Sequence, residues 1–368
     1  MPKAQIVLTS SRPQTKNVRG RRPPRVVGDI TLAELQPYIF EAHAPVQPEQ
    51  VFYEGLITKG DLTVWLGREK HRKSNLILQF AICAALGRDF VGFRFRHDRP
   101  LKVVLIDFES KDGSLRQRIN GIEKAMKLKT ADITTLHANL KILKVRNIRK
   151  AGRTFPKFPF KEKQDGLEFW ENLPPAMPAD LYIIDPLRTL HSADENDSSI
   201  EALLSEIQRI FRGAAVVVAH HMRKPNENTR TLAEDMRAWS EGARGSSAIK
   251  AHSDVIVLQE RSMNDKGEEV VHLGVFLKDG PDVDPFPLME SDNQSFFWEI
   301  SIVLPQGLEH SYEALKNRYL KDRAAAAREM SQRAKVSRAT AYRHVGALIR
   351  VGLLKEEANQ LVLKKVAA

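Results

Sequence analysis

The sequence predicts an α/β protein: a mostly parallel sheet with helices on both faces, followed by a small, helical C-terminal unit. Three observations predict it. Short aliphatic runs alternate with helix-length segments through residues 51–304, the pattern of buried parallel strands joined by crossover helices. A loop with phosphate-binding spacing follows the first strong run and precedes an apolar helix. After Pro305 and Gly307 the chain becomes helical and basic, with a helix–turn–helix–hairpin pattern. These shifts divide the chain into a basic tail with a short helix (1–50), the α/β body (51–304) and the C-terminal unit (305–368).

Composition bounds the reading. The 368 residues are 42% hydrophobic and 28% charged, a globular balance that excludes wholesale disorder. Apolar runs such as 103–106 and 214–219 are far too short to span a bilayer, and no apolar segment follows the basic N-terminal residues as a secretory signal requires. No membrane partner is therefore expected. The single cysteine, Cys83, excludes an internal disulfide and a cysteine zinc site, and fits a cytoplasmic protein. It lies in an apolar helical stretch, where it reads as a small buried hydrophobe.

The net charge of +11 is uneven: residues 1–28 contribute +7 without a single acid, residues 309–368 another +7, and the body between them −3. Two basic ends on a slightly acidic body point to a polyanionic partner, foremost nucleic acid. The first 28 residues, with their Pro, Arg, Gly and Ser content, also read as a solvated, disordered tail; the two readings are compatible.

In chain order, Thr31 as N-cap with Glu34 three residues on predicts a helix over 31–40, stopped by Pro45. Strands are expected at 62–66, 101–107, 180–184, 214–219, 254–259 and 272–276. Helices are expected at 74–86, 112–127 and 198–211. Residues 141–165, basic and holding Pro156 and Pro159, read as a loop or an insertion. In the C-terminal unit, helices are predicted at 324–332 and, behind Ser337 as N-cap, at 338–351. Ala341, Val345, Leu348 and Ile349 form the apolar face of the second helix, leaving Arg338, Thr340, Arg343 and His344 toward solvent. Gly352 stops it, and short strands follow at 353–355 and 360–363.

The chemistry concentrates at strand ends. Gly67, four residues, Arg72, Lys73 and Ser74 follow the phosphate-loop spacing, in which backbone N–H groups and a helix N-terminus cradle phosphates, the lysine reaches the terminal ones and the hydroxyl holds Mg²⁺. Arg72 replaces the second glycine, adding a positive charge while disturbing a loop that favours glycine. The same residues also fit a basic turn before a helix. Glu109 and Asp185 lie at the carboxyl ends of predicted parallel strands, where open α/β sheets bind ligands. There an aspartate can hold the metal and a glutamate can take a proton from attacking water; either acid could equally solvate a strand end. His220 and His221 lack metal-site spacing, but a polar group at that strand end can feel a terminal phosphate. A long loop then holds Arg223, Lys224 and Arg230, which are expected to face DNA.

Together, segments 67–74, 105–109, 181–186 and 216–224, with Arg244-Gly245-Ser246-Ser247-Ala248-Ile249 and Ser253-Asp254-Val255-Ile256, resemble the RecA-like hexameric P-loop ATPases, most closely the RepA-type plasmid replicative helicases, over roughly residues 55–280. The resemblance implies a RecA-like core binding ATP and Mg²⁺. Lys73 and Ser74 would hold phosphate and metal, Asp185 would be the metal-side aspartate and Glu109 the catalytic glutamate. His221, or else His220, would be the phosphate sensor. Arg244 would act as an arginine finger in a neighbour's site, with Lys278 assisting. It also implies a homo-oligomeric ring or hexamer, partnered by single-stranded or duplex DNA and by other replication proteins. The C-terminal unit resembles a winged helix-turn-helix, with Arg338, Thr340 and Arg343 placed for a major groove; such units also bind proteins. The expected function is a DNA-acting ATP motor, a replicative helicase or replication protein of a plasmid, phage or mobile element. The alternative is a nucleotide-binding switch, helicase loader or initiator that hydrolyses weakly or not at all because of Arg72.

Overall fold

The computed structural model describes residues 49–158, 166–190, 197–222, 230–243, 246–264, 267–291, 296–300, 308–316, 318, 320–350, 353–357 and 360–363. The expected tail and the 31–40 helix lie outside them.

Glu49–Ala368 forms one unit. It begins with a small antiparallel pair, β1 (Val51–Tyr53) and β2 (Ile57–Thr58). The first sheet strand, β3 (Leu62–Gly67), leads through the phosphate-type loop into α1 (Lys73–Leu86). Next come β4 (Val103–Asp107), α2 (Asp112–Ala125), α3 (Thr130–Asn139), β5 (Leu140–Lys144), α4 (Val145–Lys150) and α5 (Leu167–Ala176). The chain then runs through β6 (Leu181–Asp185), α6 (Asp197–Ile210), β7 (Ala215–His221), α7 (Met236–Ser240) and α8 (Ser246–His252). Four consecutive strands follow, each antiparallel to the one before it from β9 on: β8 (Val255–Met263), β9 (Glu269–Leu277), β10 (Val283–Glu290) and β11 (Trp298–Ile300). Last are α9 (Glu309–Leu315), α10 (Arg323–Arg333), α11 (Arg338–Arg350) and the hairpin β12 (Leu354–Glu357) and β13 (Gln360–Leu363).

The central sheet runs β11-β10-β9-β8-β3-β7-β6-β4-β5. From β8 to β5 every neighbour is parallel, and β9, β10 and β11 extend it antiparallel. The α/β, mostly parallel expectation therefore holds. Its cause is visible in β3, whose six residues are all buried: Leu62, Val64 and Leu66 enter one apolar cluster and Trp65 the other. That period-two split, with apolar residues on both faces, requires helices on both sides of the sheet. In β6, Tyr182 and Ile184 join the first cluster and Leu181 and Ile183 the second.

The central helix α1 is apolar almost all round because it is covered on nearly every side. Gln79, buried within it, donates its amide to the Trp298 carbonyl and accepts from the Trp298 N–H, each at 2.8 Å, pinning β11 to the helix. Gly87 ends α1 in the left-handed conformation, its N–H directed to the Ala84 and Cys83 carbonyls. Cys83 is fully buried, and burial pushes its thiol up to about 12, as befits a packing residue.

Two expectations fail here. Residues 141–165 are not simply a loop, because Leu140–Lys144 pairs with β4 as the edge strand and Val145–Lys150 is helical. Its lysines disguised it, and lysine is what an edge strand commonly presents to solvent. Strand β10 was also missed, because Pro285 and Pro287 within it argue against a strand by sequence alone. In the C-terminal region, Ala326, Ala327 and Met330 of α10 and Ala341, Val345 and Leu348 of α11 are all buried, and Leu361 N donates to Leu320 O at 2.7 Å to tie the hairpin back. Thr340 N donates to Ser337 Oγ at 3.1 Å, the expected N-cap.

Candidate functional site

A cavity of about 560 Å³ opens at the carboxyl ends of β3, β4, β6 and β7, walled by Lys73, Ser74, Glu109, Asp185 and His221. The parallel register explains the convergence: Asp107 stands opposite Asp185 across β4 and β6, and Gly67 opposite His221 across β3 and β7. Gly67 is required for space. A Cβ there would meet the Gln259 carbonyl oxygen at 2.9 Å and the Lys73 side chain at 3.0 Å.

Lys73 is the first residue of α1, and its side chain folds back over the loop. Its ammonium donates to the carbonyls of Gly67 and Arg68, the latter at 3.1 Å. It also lies 3.1 Å from His221 Nδ1; an ammonium only donates, so Nδ1 is the unprotonated nitrogen. Burial lowers Lys73 to about 8, with Asp185, Glu109 and Glu69 partly offsetting it. Asp185 is half-buried, and burial raises its carboxyl despite the Ser74 hydrogen bond and the nearby Lys73 charge. Glu109 is exposed at the cavity rim. Partial burial, then the charges of Asp185 and Asp107, raise it, and Lys73 pulls the other way. A carboxylate raised in this way is a better proton acceptor.

Behind this layer is a set of residues that sequence reasoning did not assign. Asp107 accepts from the Glu109 N–H at 3.0 Å, the Ser110 N–H at 2.9 Å and Lys144 Nζ at 3.0 Å. Burial alone would raise Asp107, but the Ser110 amide and the Lys144 ammonium leave it below the usual carboxylate value. Arg118, buried on α2, donates to Asn75 Oδ1 at 3.2 Å and to Ser110 Oγ at 2.6 Å. It therefore joins the start of α1 to the segment holding Glu109. Arg68 pairs with Glu260 at 3.1 Å and stacks over Trp239 at 5.9 Å, and Glu260 also accepts from the Leu232 N–H. That bond brings the chain after residue 230 back beside the loop. Apart from the local turn in which Asp107 accepts from the Glu109 and Ser110 N–H groups, these partners come together from distant segments of the chain.

Arg72 lines the cavity, and its guanidinium pairs with Glu269 of β9. Lys278 is not at this site. Because β9 runs antiparallel, its end lies at the amino ends of the parallel strands, opposite the cavity, where Lys278 is 3.8 Å from Asp254, whose carboxylate accepts from the Leu62 N–H. Arg230 is paired with Asp235 at 2.9 Å. Arg223, Lys224 and Arg244 lie outside the described residues. Arg338 and Arg343 are exposed on α11, while the Thr340 hydroxyl accepts from Ser337 at 2.8 Å and from Arg343 at 3.3 Å.

Residues 33–227, more than half of the chain, match the protein family described as an AAA domain. The chain belongs to that family. The AAA domain so placed contains Gly67, Lys73, Ser74, Glu109, Asp185 and His221, whereas Arg230, Arg244 and Lys278 fall beyond the matched span. With the parallel sheet and the strand–loop–helix site, the AAA domain has the architecture of a P-loop ATPase domain. No curated protein matches the chain. Among solved structures it is similar to a KaiC-like protein from the hyperthermophilic archaeon Pyrococcus horikoshii OT3, at 12% identity and a TM-score of 0.42, over 68% of this chain and 93% of that one.

The residues present fit a magnesium ion. Among the described residues no cluster of three or more His, Cys, Asp or Glu could hold a metal by itself. Ser74 and the half-buried carboxylate of Asp185 instead offer one or two oxygen ligands, the kind of set that Mg²⁺ uses together with substrate phosphates. Also among the described residues, no helix is long and apolar enough to cross a membrane.

Proposed function

We propose that the chain is an ATP-hydrolysing, DNA-acting motor of RecA-like type, working as a replicative helicase or replication protein of a plasmid, phage or other mobile element. One observation supports it above the others: Lys73, Ser74, Asp185, Glu109 and His221, spread over 149 residues, line one cavity at the carboxyl ends of parallel strands. In this reading Lys73 leaves the Gly67 and Arg68 carbonyls to meet the terminal phosphates. Ser74 and Asp185 hold Mg²⁺, which neutralises phosphate charge when bound. Glu109 accepts the proton of the attacking water, and His221, in reach of Lys73, registers the departure of the terminal phosphate. Arg244 serves the site of a neighbouring subunit in a ring or hexamer. The DNA assignment rests on the two basic chain ends and on exposed Arg338 and Arg343 at the start of α11, in a unit read as a winged helix-turn-helix.

ATP turnover with and without single-stranded DNA tests the proposal. A motor turns over ATP and is stimulated by the strand; turnover indifferent to DNA contradicts it. A second reading, a nucleotide-binding switch, loader or initiator with slow hydrolysis, is favoured by Arg72 in the loop. Tight ATP binding with almost no turnover in either condition would select it.

A further inference from the structure

Arg72 occupies the position where the phosphate-loop spacing has glycine, and its backbone shows what glycine would supply. Its φ is +64°, a left-handed conformation that side chains adopt only under strain, and Lys70 two residues earlier is at +63°. No side chain caps α1 at this position. Instead, Arg72 Nε and Nη2 meet the two carboxylate oxygens of Glu269 at 2.8 and 3.2 Å, a bidentate pairing across 197 residues of chain. Arg261, on the facing strand β8, meets the same carboxylate at 2.6 Å. The neighbouring loop residue is held by the same ribbon: His71 Nδ1 accepts from the Arg261 N–H at 2.9 Å, and the His71 carbonyl accepts from Gln259 Nε2. The antiparallel extension β8–β9 thus grips the loop at residues 71 and 72, directly before the phosphate lysine.

We propose that Glu269 is a positioning residue for the nucleotide site: by fixing the guanidinium of Arg72 against the β8–β9 ribbon it holds that residue in the left-handed backbone the loop needs, so that arginine can stand where glycine is usual. The inference rests on the reading that the cavity binds a nucleoside triphosphate. It predicts that Glu269 matters only while residue 72 is arginine, since glycine adopts φ +64° without a clamp.

A double-mutant cycle on the full chain tests this, with the affinity for a fluorescent ATP analogue and Mg²⁺ as readout. Glu269→Ala weakens binding about tenfold in the parent. The same substitution in the Arg72→Gly background changes it less than twofold. Glu269→Gln, which keeps the shape and removes the charge, gives the same pattern at smaller size and serves if Glu269→Ala does not fold. An equal loss in both backgrounds overturns the proposal, because the acid then acts on the fold in general. A gain in affinity also overturns it, because Glu269 then matters only as a negative charge near the phosphates. Failure of the parent to bind the analogue is a different result: it removes the nucleotide reading itself and the proposal with it.

Discussion

At the scale of single residues, the site combines groups whose positions follow from local spacing with groups whose positions follow only from the sheet. Lys73 shows the consequence for pH. Its ammonium is lowered to about 8 by burial, so the free protein loses that charge as pH rises through this value. Bound phosphates favour the charged form, so nucleotide affinity falls as pH rises through about 8 and binding there takes up a proton. Calorimetric titration in buffers of different ionisation enthalpy measures this uptake. Affinity and heat independent of pH and buffer would mean that Lys73 does not meet the phosphates. The sequence made Gly67, Lys73, Ser74, Glu109 and Asp185 legible because each is marked by a short pattern or a strand end. Glu269, Arg261, Arg118 and Lys144 were not legible, because they reach the site from distant strands and helices and carry no local signature. Lys278 misled for a related reason: its turn could be read from sequence, but the direction of the strand before it, and so the end of the sheet at which it emerges, could not.

At the scale of elements, the order of strands and helices was legible wherever aliphatic runs were long. It was lost where charge or proline hid them, at the lysine-rich edge strand Leu140–Lys144 and at Val283–Glu290 with its two prolines. The helix Thr130–Asn139 went unassigned as well. A polar residue in the most apolar helix turned out to be a joint: Gln79 satisfies both the N–H and the carbonyl of Trp298 from inside α1. Replacing it by leucine leaves two buried backbone groups without partners, at ~1–3 kcal/mol each. Gln79→Leu is therefore expected to lower unfolding stability by roughly 2–4 kcal/mol in denaturant titration, despite the added hydrophobicity. Unchanged stability would show that β11 is not held through this pair.

At the scale of the whole molecule, the proposed function makes the cavity of the AAA domain one half of an ATPase site, with Lys73, Ser74, Asp185 and Glu109 all on one chain. The resemblance to ring ATPases assigns the other half to Arg244 of a neighbour. If so, Lys73→Ala and Arg244→Ala proteins, each inactive alone, restore part of the turnover when mixed, because some interfaces join an intact loop to an intact finger. Mixtures no more active than their components would place Arg244 outside the chemistry. The claim on which the rest depends is narrower: this cavity hydrolyses ATP with Glu109 as the proton acceptor. The most direct measurement is the rate of phosphate release by Glu109→Gln beside the parent, at saturating ATP and Mg²⁺ and with bound nucleotide quantified in both. The account predicts parental nucleotide binding with release slowed by about 10²-fold or more; release at the parental rate would contradict it.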